Sequence, residues 1–174
     1  MTAASERIRA VLGTCFIGAG LLFLSPAHAA PPTPVIPDAE IVLAPGEACS
    51  FGVTIENSES NLHEKAIVDN GGNLKILIAG KGSAMTITNT SNGHSLSIKA
   101  GGAAAHITVA ADGSATVVID GHVVLWGNST SVPPGPWMTR NVGRTVIGDS
   151  NDTPPIETLV SFTGKSTDVC AALN

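Results

Sequence analysis

The sequence predicts an all-β fold: an antiparallel β-sandwich or flattened barrel of about nine to ten strands, meander-rich, with one disulfide. Three observations point there. Short runs alternate apolar and polar residues with period two, as in Phe51-Gly-Val-Thr-Ile-Glu56. Asn-Gly and Asp-Gly pairs stand between such runs, and both residues of each pair tolerate the positive φ of tight hairpin turns. No segment sustains a helical period.

Composition bounds the function classes. The 174 residues hold 13% charged and 3% aromatic residues, no Tyr, 19 Gly and 11 Pro. The formal charge is −5. Nucleic-acid binding asks for a basic patch with interleaved aromatics, so this composition argues against it. A hydrophobic content of 43% argues against disorder.

Residues 1–29 read as a secretory signal. Arg7 and Arg9 precede an apolar run from Val11 to Leu24, then Ser25-Pro26 and Ala27-His28-Ala29. The apolar run is about 14 residues, short of the roughly 20 that a membrane span needs, so no span is expected after cleavage behind Ala29. An uncleaved anchor is the alternative. Without residues 1–29, seven basic residues face thirteen acidic ones, a formal charge of −6. By charge, such a chain is a poor ligand for anionic lipid or nucleic acid.

Residues 30–44 begin Ala-Pro-Pro-Thr-Pro-Val-Ile-Pro and are expected to be an extended spacer. A single β domain is expected over 45–174. Once Cys15 leaves with the signal, Cys49 and Cys170 remain, and two cysteines in an exported chain most simply pair. A metal-binding pair or a dimer-linking thiol are the alternatives.

Along the domain, His63–Asp69 and Leu74–Ala79 flank Asn70-Gly-Gly-Asn73. Met85–Thr90 and Ser95–Lys99 flank Ser91-Asn-Gly-His94. Ala105–Val109 and Ala115–Ile119 flank Asp112-Gly113, and His122–Trp126 follows Asp120-Gly121. Val132–Met138 carries three Pro in a long loop. Arg140–Ile147 and Ile156–Phe162 read as closing strands. If each Gly-containing pair is a two-residue turn, Leu96, Ile107, Val118 and Val123 share one row, with Ile87, Ile98 and Ala105 in the next, and this face is the core side. The opposite face begins polar and ends apolar, at Val117, Ile119, Val124 and Trp126, which predicts a second covering sheet. A β-solenoid is the competitor, but the strand pairs step by 11, 9 and 7 residues rather than a fixed period.

Few residues suggest chemistry. In this register His106 and His122 both neighbour Ile119, their Cα atoms roughly 9.6 Å apart on alternate strands. They are the candidate metal ligands, with no third ligand placed and a structural role as the plain alternative. Ser, His and Asp occur without a G-x-S-x-G elbow, so no catalytic residue is assigned. Gly80-Lys81-Gly82-Ser83 and Gly164-Lys165-Ser166 lack the spacing and helix of a phosphate loop and read as turns. Thr86, Thr88 and Thr90 form a threonine row that suits an exposed strand face or a regular lattice such as a polysaccharide. Trp137 and Met138, ending the Pro-rich loop, are candidate partner contacts; packing of that loop onto the sandwich is the alternative.

Four segments resemble a group of small secreted actinobacterial β-rich proteins without assigned activity. They are Cys49-Ser-Phe-Gly-Val53, Gly80-Lys-Gly-Ser-Ala-Met-Thr-Ile-Thr-Asn-Thr90, Pro134-Gly-Pro-Trp-Met-Thr-Arg-Asn-Val-Gly143 and Gly164-Lys-Ser-Thr-Asp-Val-Cys-Ala-Ala-Leu173. The resemblance covers about residues 45–174. It implies export and a Cys49–Cys170 pair, and it transfers no site residue.

The leading expectation is therefore a secreted, extracellular, non-enzymatic β protein that acts by surface contact with a protein or an envelope component, without a cofactor. A small-ligand or metal carrier with a pocket between sheets comes second, and a secreted hydrolase third.

Overall fold

The computed structural model describes residues 31–69, 71–151 and 156–174. The expected signal, 1–29, lies outside the described residues. Eleven strands form two antiparallel sheets. The larger joins β1 (Thr33–Val35), β4 (Asn61–Val68), β5 (Leu74–Lys81), β8 (Gly102–Val109), β9 (Ala115–Gly127), β10 (Trp137–Asp149) and β11 (Glu157–Asp168), in that order. The smaller joins β2 (Glu40–Leu43), β3 (Val53–Asn57), β6 (Met85–Asn89) and β7 (Ser95–Ile98). One short helix, α1 (Val169–Ala172), follows β11. Sandwich architecture, antiparallel pairing and the disulfide are as the sequence predicts.

Two strands lie where a spacer was expected. β1 and β2 fall within residues 30–44 because Val35 and Leu43 have cores to enter: both are buried. Pro34 is tolerated because β1 is an edge strand.

The turn assumptions hold unevenly. The β4–β5 hairpin forms, with the Asp69 carboxylate accepting from the Gly71 and Asn73 amides at 2.9 and 3.0 Å. At Asp112-Gly113 the amide of Ala110 donates to the Ser114 carbonyl, so the loop is longer than two residues. Ile107 therefore pairs with Val117 instead of Val118, and this one-residue slip exchanges the faces of β9. Val117 is buried in the core, and Val118 sits on the other face. Gly101-Gly102 is no hairpin either, because β7 and β8 belong to different sheets.

The largest departure is at Asp120-Gly121, expected to be a turn. There β9 runs straight on for 13 residues. Gly121 pairs with Ala103 on one side and Gly143 on the other. Gly143 pairs in turn with Gly164, and Ala103 with Gly80. This row of glycines crosses five strands, and its φ angles are +139° at Gly80, +115° at Gly121, +144° at Gly143 and +140° at Gly164. A Cβ at Gly121 or Gly143 would overlap the neighbouring strand's carbonyl, at Gly102 and Thr163 respectively. Only glycine fits such an approach, and a row of kinks folds the sheet along a line.

Chain reach shows how sharp the fold is. Trp137 and Gly148 lie eleven residues apart on β10, about 36 Å if the strand were straight. Val132 nevertheless bridges Thr158, the partner of Gly148, while standing five residues before Trp137, a reach of at most about 18 Å. The two ends of β10 therefore approach each other across the crease.

Each side of the crease feeds its own core. On one side Ile78, Ala105, Ile107 and Val117 cluster with Val35. On the other side the opposite face of β9 and β10, through Val124 and Met138, meets Leu43, Val53, Ile55, Ile87 and Ile98, together with Val169 and Leu173 from the chain's end. This change of face explains why the β9 sequence is apolar on both faces. Cys49 and Cys170 are bonded, with Cα atoms 5.6 Å apart.

Candidate functional site

The crease leaves a small cavity beneath the Pro-rich segment that joins β9 to β10. That strap, residues 128–136, has cis peptide bonds at Val132-Pro133 and Gly135-Pro136. It is tied to β11 by two backbone bonds: Val132 N–H donates to the Glu157 carbonyl at 2.8 Å, and Leu159 N–H to the Val132 carbonyl at 2.7 Å. At its root, Asn128 N–H donates to Ser131 Oγ at 3.1 Å. The Trp137 indole N–H donates back to the Pro133 carbonyl at 2.9 Å. Its ring lies over Gly127, where a Cβ would overlap it.

Leu125, Trp126, Trp137, Ile147, Leu159, Ser131 and Glu157 line the cavity, which measures about 30 Å³. That is room for one water molecule and too little for a sugar ring, a fatty acid or haem. Glu157 stands opposite Asp149 across β10–β11. Burial pushes the Glu157 carboxyl up to about 7, and the charge of Asp149 adds to the rise. A carboxyl with a raised proton affinity beside a second carboxyl is the raw material of glycoside hydrolysis, but a water-sized cavity admits no substrate between them. Sequence reading missed this pair. The signal was present: Glu157 and Leu159 alternate on the same face of a closing strand as the buried core residues.

The register sets the two histidines further apart than expected. His106 stands opposite Val118, and His122 opposite Val142. Because β9 does not turn at Asp120-Gly121, the two are four residues apart along it, about 14 Å between Cα atoms with the strand offset included. Ile119 neighbours neither; its partners are Ala105 and Thr145. Both imidazoles are exposed. Among the described residues no three His, Cys, Asp or Glu side chains converge as a metal site.

The loop contacts divide. Met138 is fully buried in the core shared by the two sheets, so it offers no contact surface. The alternation that puts Trp137 toward the strap turns Met138 toward the smaller sheet. Trp137 is half-buried under its own strap. What the strap exposes is Val132, at 46%, beside Ile156 at 37% and Val160 at 60% on β11 and the segment leading into it. Pro133, Pro134 and Pro136 are exposed with them.

Thr86 and Thr88 lie on the outer face of the smaller sheet, where Thr88 pairs with Thr54 and Ser95, and Thr86 with Glu56 and Ser97. The hydroxyl row thus spans three strands rather than running along one. Both Gly-Lys segments are explained by the crease: Gly80 and Gly164 belong to the glycine row, and each lysine is the next residue of its strand. Among the described residues, no helix is long and apolar enough to cross a membrane. The chain matches no protein-family model, no curated protein and no solved structure.

Proposed function

We propose that this chain is a secreted, non-enzymatic β protein that acts by surface contact with a protein or an envelope component. One observation carries the reading: three of the seven exposed large hydrophobic side chains among the described residues, Val132, Ile156 and Val160, gather around the strap at the open edge of the larger sheet. Exposed aliphatic groups in one place, rimmed by proline, mark contact surfaces more often than scattered ones do. The neighbouring β11 is an edge strand, and edge strands accept further chain. The disulfide fits an oxidising compartment.

The test is retention of the folded protein on cell envelopes of the producing organism. Val132→Ser/Val160→Ser should cut retention at least tenfold with an unchanged melting temperature. Equal retention would remove the strap from the reading, and absence of retention of the unsubstituted protein would remove the reading itself. A thermal-shift panel of metals, sugars, haem and fatty acids tests the carrier alternative, since a ligand bound only by the folded state raises its melting point.

A further inference from the structure

We infer that the part of the seven-stranded sheet's lysine-bearing face that the smaller sheet leaves open is a docking surface for an acidic polysaccharide. The inference rests on the surface-contact reading for its setting outside the cell, and it names a partner class and a second face.

Cross-strand pairs point to the same side of a sheet, so the register sorts every charged residue by face. One face turns Ile78, Ala105, Ile107 and Val117 into the core. The other carries Lys65, Lys75 and Arg144 and, just past the crease, Lys81 and Lys165, each assigned by its strand partners; Arg140 shares it further on, where Val124 and Met138 of the same face pack against the smaller sheet. These are six of the seven Lys and Arg residues between 30 and 174; the seventh, Lys99, lies outside this sheet. His63, His106 and His122 stand on the same face. It holds a single carboxylate, Asp120, which is bonded to Arg144 at 3.1 Å. The core-facing side short of the crease carries Glu64, Asp149 and Glu157 and no cation.

The separation is therefore nearly complete. A chain with a formal charge of −6 after residue 29 presents five cations and one anion on the part of this face that the smaller sheet leaves open. Such a face holds a local field opposite to that of the whole molecule and attracts polyanions despite the net charge. Lys75 is paired with Asp69 at 3.1 Å; Lys65, Lys81, Arg140 and Lys165 have no ion pair among the described residues. Lys81, His122 and Lys165 fall in one row beside the glycine crease, alternate strands apart, so their Cα atoms repeat at roughly 9.6 Å. Arg140 lies one row further along, half-buried, with its Nε sealed from solvent and unbonded.

The class of polyanion follows from what accompanies the charge. No aromatic side chain of the described strands is exposed on this face, so it offers no platform on which bases would stack. Thr108, Thr116, Thr163 and Thr167 stand among the cations and supply neutral hydroxyls. Spaced cations with hydroxyls between them suit a glycan whose carboxylates or phosphates recur along the chain, where each contact is charge-assisted and the rest are hydrogen bonds between hydroxyls.

The folded, disulfide-bonded protein is passed over immobilised polygalacturonate, a phosphate-bearing glycan and neutral dextran at about 50 mM salt and then at higher salt, where screening weakens charge contacts. Retention on one or both acidic polymers, released by salt, with dextran inert, is the expected result; the two acidic columns separate carboxylate from phosphate. Lys65→Gln/Lys81→Gln/Lys165→Gln should weaken binding at least tenfold without lowering the melting temperature. Glu40→Gln/Glu56→Gln, on the outer face of the smaller sheet, makes a charge change of similar size elsewhere and should leave binding within twofold. Unchanged binding by the triple lysine variant overturns the inference. So does tighter binding to a single-stranded oligonucleotide or to anionic lipid vesicles than to either polymer. Loss of polymer binding with envelope retention intact sinks this inference alone, whereas loss of envelope retention sinks the surface-contact reading.

Discussion

At the scale of single residues, Glu157 shows how a strand pair can hold a proton. Its carboxyl rises from an ordinary 4.5 to about 7, first through burial in the cavity and second through Asp149 opposite. The folded state then binds more protons than the unfolded chain between those two values, and stability falls as pH rises through that window. The contribution is fully present below about pH 4.5 and is lost by about pH 7. Glu157→Gln keeps the shape of the neutral acid and cannot ionise. Its melting temperature should match that of the unsubstituted protein near pH 4.5 and exceed it above pH 7. Parallel melting curves across that range would show that Glu157 is charged in the fold. At the opposite extreme Asp69, half-buried in the β4–β5 hairpin loop, is drawn down to about 2, chiefly by the Asn73 amide and then by Lys75. The sequence made the Asp69 turn legible because turn chemistry is local. It left Glu157 hidden because its environment is built by residues from three distant segments.

At the scale of elements, most strands were legible and their connections were not. Period-two runs marked β3 and β6 to β8 well, since alternation is set by the residue and its nearest neighbours. Asp120-Gly121 misled because a glycine with positive φ serves a hairpin turn and a strand kink equally, and only the partners decide which. Gly143 and Gly164, in register with Gly121, are those partners, and they lie far along the chain, Gly143 inside an expected strand and Gly164 in an expected turn. The single slip at Asp112-Gly113 shows the cost of one wrong turn length: it exchanged Val117 for Val118 in the core. The crease makes a direct prediction. Gly143→Ala places a Cβ against the Thr163 carbonyl and forces an L residue to φ +144°. Strain of this kind costs on the order of 1–3 kcal/mol before the overlap is relieved. Gly148→Ala, on the same strand with ordinary backbone, meets only the Cγ2 methyl of the exposed Val160 at 3.4 Å, an ordinary contact, and should stay within about 0.5 kcal/mol of the parent. Urea unfolding of the two variants checks the difference. Equal midpoints would mean that the crease tolerates a side chain, and that the glycine row is not what folds the sheet.

At the scale of the whole molecule, the chain's last residues are fastened to the smaller sheet and its loops. Val169 and Leu173 are fully buried in the core between the sheets, and Asp168 caps α1 by accepting from the Ala171 amide at 3.0 Å. Asn89 and Asn92, flanking the β6–β7 turn, each donate a side-chain amide to the Leu173 carbonyl at 3.1 Å. The Cys49–Cys170 bond adds a covalent link across a sequence separation of 121. This pairing was legible from counting alone, whereas the opposed faces of the larger sheet were not, because charge segregation exists only once register is known. The disulfide and the Asn–Leu173 contacts act on different states. The contacts stabilise the fold, while the disulfide chiefly limits the unfolded chain, which the loop-entropy account puts at about 4–5 kcal/mol for a loop of this length. Cys49→Ala/Cys170→Ala should therefore keep the native sheet content and α1 docked, yet unfold at markedly lower urea. Circular dichroism in the absence of denaturant, followed by urea titration, separates the two contributions. A variant that is unfolded before any urea is added would show that the covalent link holds the chain's end in place and that the buried Leu173 and its two asparagines are insufficient. A variant with an unchanged midpoint would show that the unfolded chain is already restricted without it.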